Sequence, residues 1–324
     1  MYSLSEINKI KKHIRENWYP KDFTWPSIHL FISIFFIFVA LWGINKTNNK
    51  MYLGGLIAFL ALSIMRMFMT FHDLVHGSYF PSEERKTGKP GINSSIARCI
   101  DFLCCYEKDA WKATHMEHHR VHGNLNESDH TKTVYTSSQY NALTASQKTI
   151  YNVVRYPPVF FIIMPIYIFW INKFINHEWE YIAKYTLFLN LLHYIGGLKL
   201  LGCFLFAQYI GGMLGIMLFH LQHQVNLGYW KPFDNNTDIV SRANAEIYGA
   251  SVLKIPFGID FFTLGIEYHS VHHLDPGVPG YNTKDCYYDL IKRGLFKEDS
   301  KVGYSQIMKS LTYTIYDEKD ELYK

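Results

Sequence analysis

Met51-Tyr-Leu-Gly-Gly-Leu-Ile-Ala-Phe-Leu-Ala-Leu-Ser-Ile-Met-Arg66-Met-Phe-Met-Thr-Phe71 is a nearly unbroken apolar run, and it leads straight into His72-Asp-Leu-Val-His76. A bilayer span needs ~20 mainly apolar residues, so the run predicts a transmembrane helix ending in two imidazoles. A second run, Ile28 to Ile44, precedes it across the polar turn Asn45-Lys-Thr-Asn-Asn-Lys50. A third apolar region extends from about Ile182 to Phe219 and is interrupted near Gly196-Gly197-Leu-Lys199. Its length suits two spans joined by a tight turn. The stretch from Pro157 to Ile171 is shorter and carries Pro157, Pro158 and Pro165.

A mean hydropathy of -0.06 would suit a soluble protein, but the average conceals the segregation of apolar from polar stretches. The backbone of a spanning segment must pair internally, and no alternating strands of barrel length occur, so the spans are predicted as helices. A net charge of +4 makes no case for nucleic-acid binding. Cys99, Cys104, Cys105, Cys203 and Cys286 include no C-x-x-C pair, which argues against a disulfide framework or a zinc ribbon.

Lys9, Lys11, Lys12, Arg15 and Lys21 precede the first span, and Arg85, Lys86, Lys89, Arg98, Lys108, Lys112 and Arg120 follow the second. The outer turns hold only Lys46, Lys50 and Lys199. By the positive-inside rule both termini and the loop after residue 72 face the cytosol. If the proline-bearing stretch crossed, the later histidines would fall on the opposite side from the first pair. The expected architecture is therefore an all-α integral membrane protein with four transmembrane helices. Residues 1–27 form a cytosolic segment and 28–285 the membrane domain. Its spans lie at about 28–44, 51–71, 182–197 and 200–219, with 157–174 interfacial or re-entrant. Residues 286–324 form a cytosolic tail. A helical cytosolic cap, built from 77–156 and 224–324, holds a histidine-rich di-metal site.

Residues three or four apart share a helix face. His72 and His76 therefore point one way, His115, His118, His119 and His122 form an i, i+3, i+4, i+7 stripe, and His269, His272 and His273 repeat its start. Clustered imidazoles repel one another if protonated, so neutral rings bound to metal are the economical reading. Three such faces could hold two ions in an all-nitrogen shell; iron, copper and zinc all accept imidazole. The H-E-x-x-H arrangement of zinc hydrolases and the Glu-x-x-His pairs of ferritin-like bundles are both absent. A pair of irons uses the most ligands.

Several longer segments resemble the membrane fatty acid desaturase family, closest to its acyl-lipid Δ12/ω-6 and ω-3 type. His72-Asp-Leu-Val-His76-Gly-Ser-Tyr-Phe80 resembles the family's first histidine box, and Gln222-His223-Gln224 with Tyr229-Trp230 resembles a segment before its third. His269-Ser-Val-His272-His273-Leu-Asp-Pro-Gly-Val-Pro279-Gly-Tyr281 resembles the third box and its continuation. Ser270 stands where relatives often carry another histidine. The resemblance runs from about residue 28 to 285. It implies a di-iron centre that uses O2 and two electrons to remove two hydrogens from an acyl chain.

Carried over by position, the implied metal ligands are His72, His76, His115, His118, His119, His223, His269, His272 and His273, with His220 and His122 as further candidates. Ligating imidazoles usually donate their second nitrogen to a carboxylate or carbonyl, and Asp73, Glu117, Glu267 and Asp275 adjoin the boxes. The substrate would be an acyl-lipid or acyl-thioester. No haem-binding or dinucleotide fingerprint is present, so electrons would come from an external carrier, a cytochrome b5 or a ferredoxin. Such an enzyme would lie in the endoplasmic reticulum of a eukaryote, or the plasma or thylakoid membrane of a bacterium.

For each motif there is a plainer explanation. A lone histidine is more often a surface or satisfied core residue, which is the reading for His13, His29, His130, His177 and His193. Arg66 is expected near the cytosolic end, snorkelling or paired within the bundle. A membrane hydroxylase, acetylenase or carotenoid ketolase would use the same metal site. A non-catalytic metal-binding membrane protein would bind metal without turnover, and a transporter would carry its histidines within the spans.

Overall fold

The computed structural model describes residues 1–127, 134–226, 229–297 and 302–324; His130 lies outside them. The chain is mostly helical. Helix α1 (Leu4–Asn17) opens on a capping box in which Ser3 and Glu6 satisfy each other's backbone N–H groups. Next come α2 (Thr24–Lys46) and α3 (Lys50–His76). Asn49 caps α3 by accepting from the N–H of Met51 and Tyr52, and Gly77, at φ 69°, closes it in the left-handed region. The helix thus runs through the first histidine pair instead of releasing it into a loop.

Helix α2 shows an apolar face to the exterior. Phe31, Ile34, Phe35, Phe38 and Trp42 are all exposed, which water would penalise and lipid would not. Among the described residues, three helices are long and apolar enough to cross a membrane: α2, α3 and Trp179–His223. The last is bent at Gly197, where φ 64° and ψ −160° are open to glycine alone. On a straight helix, residues 185 and 208 would lie about 34 Å apart. Instead the Tyr185 hydroxyl donates to Gln208 Oε1 at 2.5 Å, and the Phe188 and Phe204 rings are 5.2 Å apart. The two arms therefore fold against each other as a hairpin.

Upstream of the hairpin, α4 (Lys108–Val121) carries the second histidine group, and α5 (Val159–Ile175) includes π-helical turns. Helix α5 is bent by 69° from the preceding helix Ala145–Arg155. It packs beside the hairpin, α6 (Trp179–His223), with Phe161 against His220 and the Trp170 indole donating to Tyr185. At the α3–α6 contact, a Cβ on Gly211 would stand 3.0 Å from the Ala61 carbonyl, so the two backbones approach closely only without a side chain there.

Helices α7 (His269–Leu274) and α8 (Gly280–Lys292) follow. The expected boundary at residue 285 falls inside α8. The tail beyond it packs back onto the protein: β1 (Tyr135–Thr136) pairs in parallel with β2 (Ile315–Asp317), which pairs antiparallel with β3 (Leu322–Tyr323).

Candidate metal centre

Four elements end at one place. The last turn of α3 brings His72 and His76, α4 brings His115, His118 and His119, the foot of α6 brings His223, and α7 brings His269, His272 and His273. Their side chains form two adjoining nests. In the first, one ligand nitrogen from each of His72, His76, His115 and His272 lies within 4.8 Å of the others; in the second the same holds for His118, His122, His223 and His273. All eight rings are buried. His119 Nε2 lies 3.2 Å from that of His115 and 3.1 Å from that of His272, at the edge of the first nest. His269 Nε2 lies 3.1 Å from those of His223 and His273, at the edge of the second.

The contacts are nitrogen to nitrogen. His76 and His115 meet through Nε2 at 2.9 Å, and His118 and His223 at 3.2 Å. A neutral imidazole carries one N–H, so such chains leave lone pairs facing lone pairs or force one nitrogen to serve two neighbours. Meanwhile Nδ1 of His269 and of His273 is buried without a hydrogen-bond partner among the described residues. A cation among the Nε2 atoms would satisfy those nitrogens together and leave each ring's proton on Nδ1, so the donor set fits metal. Burial, and then the neighbouring imidazoles, hold His115, His269, His272 and His273 well below the usual histidine range, which keeps them in the form that ligates metal.

Around the nests the candidate carboxylates divide. Asp73 Oδ1 lies 2.9 Å from His72 Nδ1, and its other oxygen accepts the Gly280 N–H at 2.6 Å, tying α3 to the start of α8. Glu117 pairs with Arg120 at 2.7 Å on the surface. Glu267 is buried and accepts from the Thr263 hydroxyl, and Asp275 accepts from the Tyr19 hydroxyl and the Gly277 N–H. His220 is turned away from both nests, its Nε2 2.8 Å from the Ser310 carbonyl.

His122, ranked below the boxes from sequence, stands inside the second nest; its place in the i+7 stripe was the signal. Trp111 was missed: it stacks on His115 at 4.3 Å and 18°, one helical turn earlier on the same face of α4. Gln222 ties the foot of α6 to the third box by donating to the Ile266 carbonyl at 2.9 Å. Tyr323, near the chain's end, donates to the His223 carbonyl at 3.0 Å, a contact no local pattern announces.

The described lone histidines stay apart from the nests. His13 lies 2.7 Å from Asp289, His29 stacks on Tyr281, His177 packs beside Trp179 and His193 is exposed.

Long apolar helices that deliver buried nests of imidazole to a common end define a class: membrane proteins with a histidine-built site able to take two metal ions. The family model for fatty acid desaturases matches residues 49–301, and the chain belongs to that family; it is a desaturase, an oxidoreductase. It is 26% identical over 311 residues to a fatty acid desaturase of Bacillus subtilis, covering 91% of this chain and 84% of that protein. It is 22% identical over 272 residues to an sn-1 oleoyl-lipid 12-desaturase of a Picosynechococcus species, covering 76% and 71% respectively.

Proposed function

We propose that this chain desaturates an acyl chain at a di-iron centre, using O2 and two electrons from an external carrier such as a cytochrome b5 or a ferredoxin. The observation that carries this reading is the pair of adjoining buried nests, His72, His76, His115 and His272 in one and His118, His122, His223 and His273 in the other, each with its ligand nitrogens within 4.8 Å of one another. An all-imidazole donor set without the H-E-x-x-H arrangement of zinc hydrolases, in a chain of the desaturase family, favours iron. The proposed ligands are His72, His76, His115, His119 and His272 in one nest, and His118, His122, His223, His269 and His273 in the other. Asp73 Oδ1, 2.9 Å from His72 Nδ1, would hold a proton on that nitrogen and leave Nε2 free to ligate a metal.

When bound, the iron pair supplies the oxidant that cleaves two C–H bonds. The balance is one acyl –CH2–CH2– unit, O2, two electrons and two protons going to –CH=CH– and two waters. The protein's share is geometric. Trp111 lies 5.6 Å from His72, and Phe219 lies 5.2 Å from His118 and 5.1 Å from His223, giving the nests apolar walls suited to an aliphatic chain and hostile to water.

The name of the Picosynechococcus relative, an oleoyl-lipid desaturase, favours an acyl-lipid substrate here. Four spans and a cytosolic cap are supported by α5: it begins against His220 at the foot of one hairpin arm and leads into Trp179 at the foot of the other. Both of its ends therefore lie on the histidine side, as an interfacial segment requires.

The test is the fatty-acid profile of yeast expressing this chain beside a His118→Ala variant, with double bonds located by mass spectrometry. A new unsaturated species absent from the variant is expected. A hydroxylated product would move the assignment to a related oxygenase. An unchanged profile from iron-loaded protein supplied with reductant and carrier would count against desaturation of the acyl pools tested.

A further inference from the structure

One loop does not fit a wholly aqueous cap. Residues 254–266 leave and rejoin it through a narrow neck, where Leu253 N–H donates to the Glu267 carbonyl at 3.0 Å and Val252 pairs with Tyr268. Between them runs Lys254-Ile-Pro-Phe-Gly-Ile-Asp-Phe-Phe-Thr-Leu264, in which Phe257 is 103% exposed and Phe261 42%. The rings of Phe261 and Phe262 pack on Phe36 of α2 at 5.8 and 6.2 Å, and Phe262 packs on Phe59 of α3 at 6.1 Å.

Those span residues lie deep. Exposed Trp25 and Trp42 bracket α2 as an interfacial pair would, about 25 Å apart along the helix. Ser33 is then about 12 Å below Trp25, and Phe36 about 16 Å. At the level of Ser33 sits Arg66, fully buried in α3. Its guanidinium donates to Ser33 Oγ at 3.1 Å and to the Phe261 carbonyl, lies 2.9 Å from His29 Nδ1, and rests 4.2 Å over the Phe261 ring. Irregular backbone at membrane depth persists only where protein satisfies its polar groups. Arg66 does so for Phe261, which gives a costly charge at that depth a structural purpose. Asp260, the loop's acidic residue, is likewise engaged, by Lys284 at 3.1 Å and by the N–H groups of Gly258 and Phe261.

We propose that residues 255–262 form a re-entrant loop inserted into the acyl region of the bilayer on the histidine side, with Phe257 in contact with lipid chains. The proposal rests on α2 and α3 spanning the membrane and stands apart from the reaction assigned to the histidine nests.

Spin labels placed on Phe257→Cys in the full chain, in liposomes, test it, with Cys99 and Cys203 replaced by serine. Phe38→Cys on the exposed face of α2 and Met308→Cys on the helix Tyr304–Ser310 serve as lipid and water references. The ratio of oxygen to nickel-chelate relaxation at position 257 is expected to shift to the Phe38 value. A ratio at the Met308 value overturns the proposal. Phe257→Trp gives the same decision without a label: added quenching by brominated acyl chains supports insertion, and its absence refutes it.

Discussion

Replacing Asp73 by asparagine separates the two nests. The carboxylate serves two donors at once, with Oδ1 2.9 Å from His72 Nδ1 and Oδ2 taking the Gly280 N–H at 2.6 Å. Asparagine keeps the shape but offers one acceptor, so turning its oxygen to His72 sets its amide N–H against that of Gly280. A hydrogen bond to a charged group contributes about 1.5–3 kcal/mol. Losing the partner that orients a ligating histidine typically costs about 10–100-fold in metal affinity, or about 1.4–2.7 kcal/mol. The two figures overlap, and both fall on His72, in the first nest only. Purified protein loaded with iron and dialysed against graded chelator should release one ion at about 10–100-fold lower chelator than wild type, and the other at the wild-type point. Metal-free melting curves report the Gly280 contact separately. Release of both ions at the wild-type chelator concentration, or simultaneous early loss of both, would refute the reasoning.

Four further outcomes follow from the same geometry. His122→Ala is expected to lower bound iron from two ions towards one and abolish turnover. His220→Ala should leave the metal content intact and cost about 0.5–1.5 kcal/mol of stability for the lost hydrogen bond, since the Ser310 carbonyl keeps the Tyr313 N–H; metal analysis and thermal melts distinguish them. Tyr323→Phe removes the hydroxyl that donates to the His223 carbonyl and should lower stability by about 1 kcal/mol at unchanged iron stoichiometry, read from the same two measurements. Gly197→Ala places a Cβ in a backbone region that only glycine occupies without strain, and should destabilise the hairpin by about 1–3 kcal/mol, seen in detergent-resistance melts.

Much of this was legible along the chain because its signals are local. The apolar runs marked α2, α3 and both arms of α6, within a few residues at each end, since hydropathy and helical rise set span length directly. Helical spacing put the histidines of each box on one face. The fates of isolated residues were harder to read. Arg66 was expected near the cytosolic end, snorkelling or paired within the bundle; it is fully buried and paired, and its partners Ser33, His29 and Phe261 come from two distant segments. Glu117 and Asp73 both adjoin histidines, yet one turns outward to Arg120 and the other inward to His72, a choice made by helix orientation.

By itself the sequence determined the class of element and the chemical type of the site, because lipid-length apolar runs and i, i+3, i+4 histidines constrain structure over one or two helical turns. Only the tertiary structure decided how the histidines divide. The sorting into two nests crosses the boxes: His115 and His272 join His72 and His76, while His118 and His273 join His122 and His223. Neighbours such as His272 and His273 part company because successive residues on a helix point about 100° apart, and which nest each reaches depends on how α3, α4, α6 and α7 cross. That crossing is set by long-range packing, including the close approach at Gly211 and the return of the tail to His223, which no local spacing encodes.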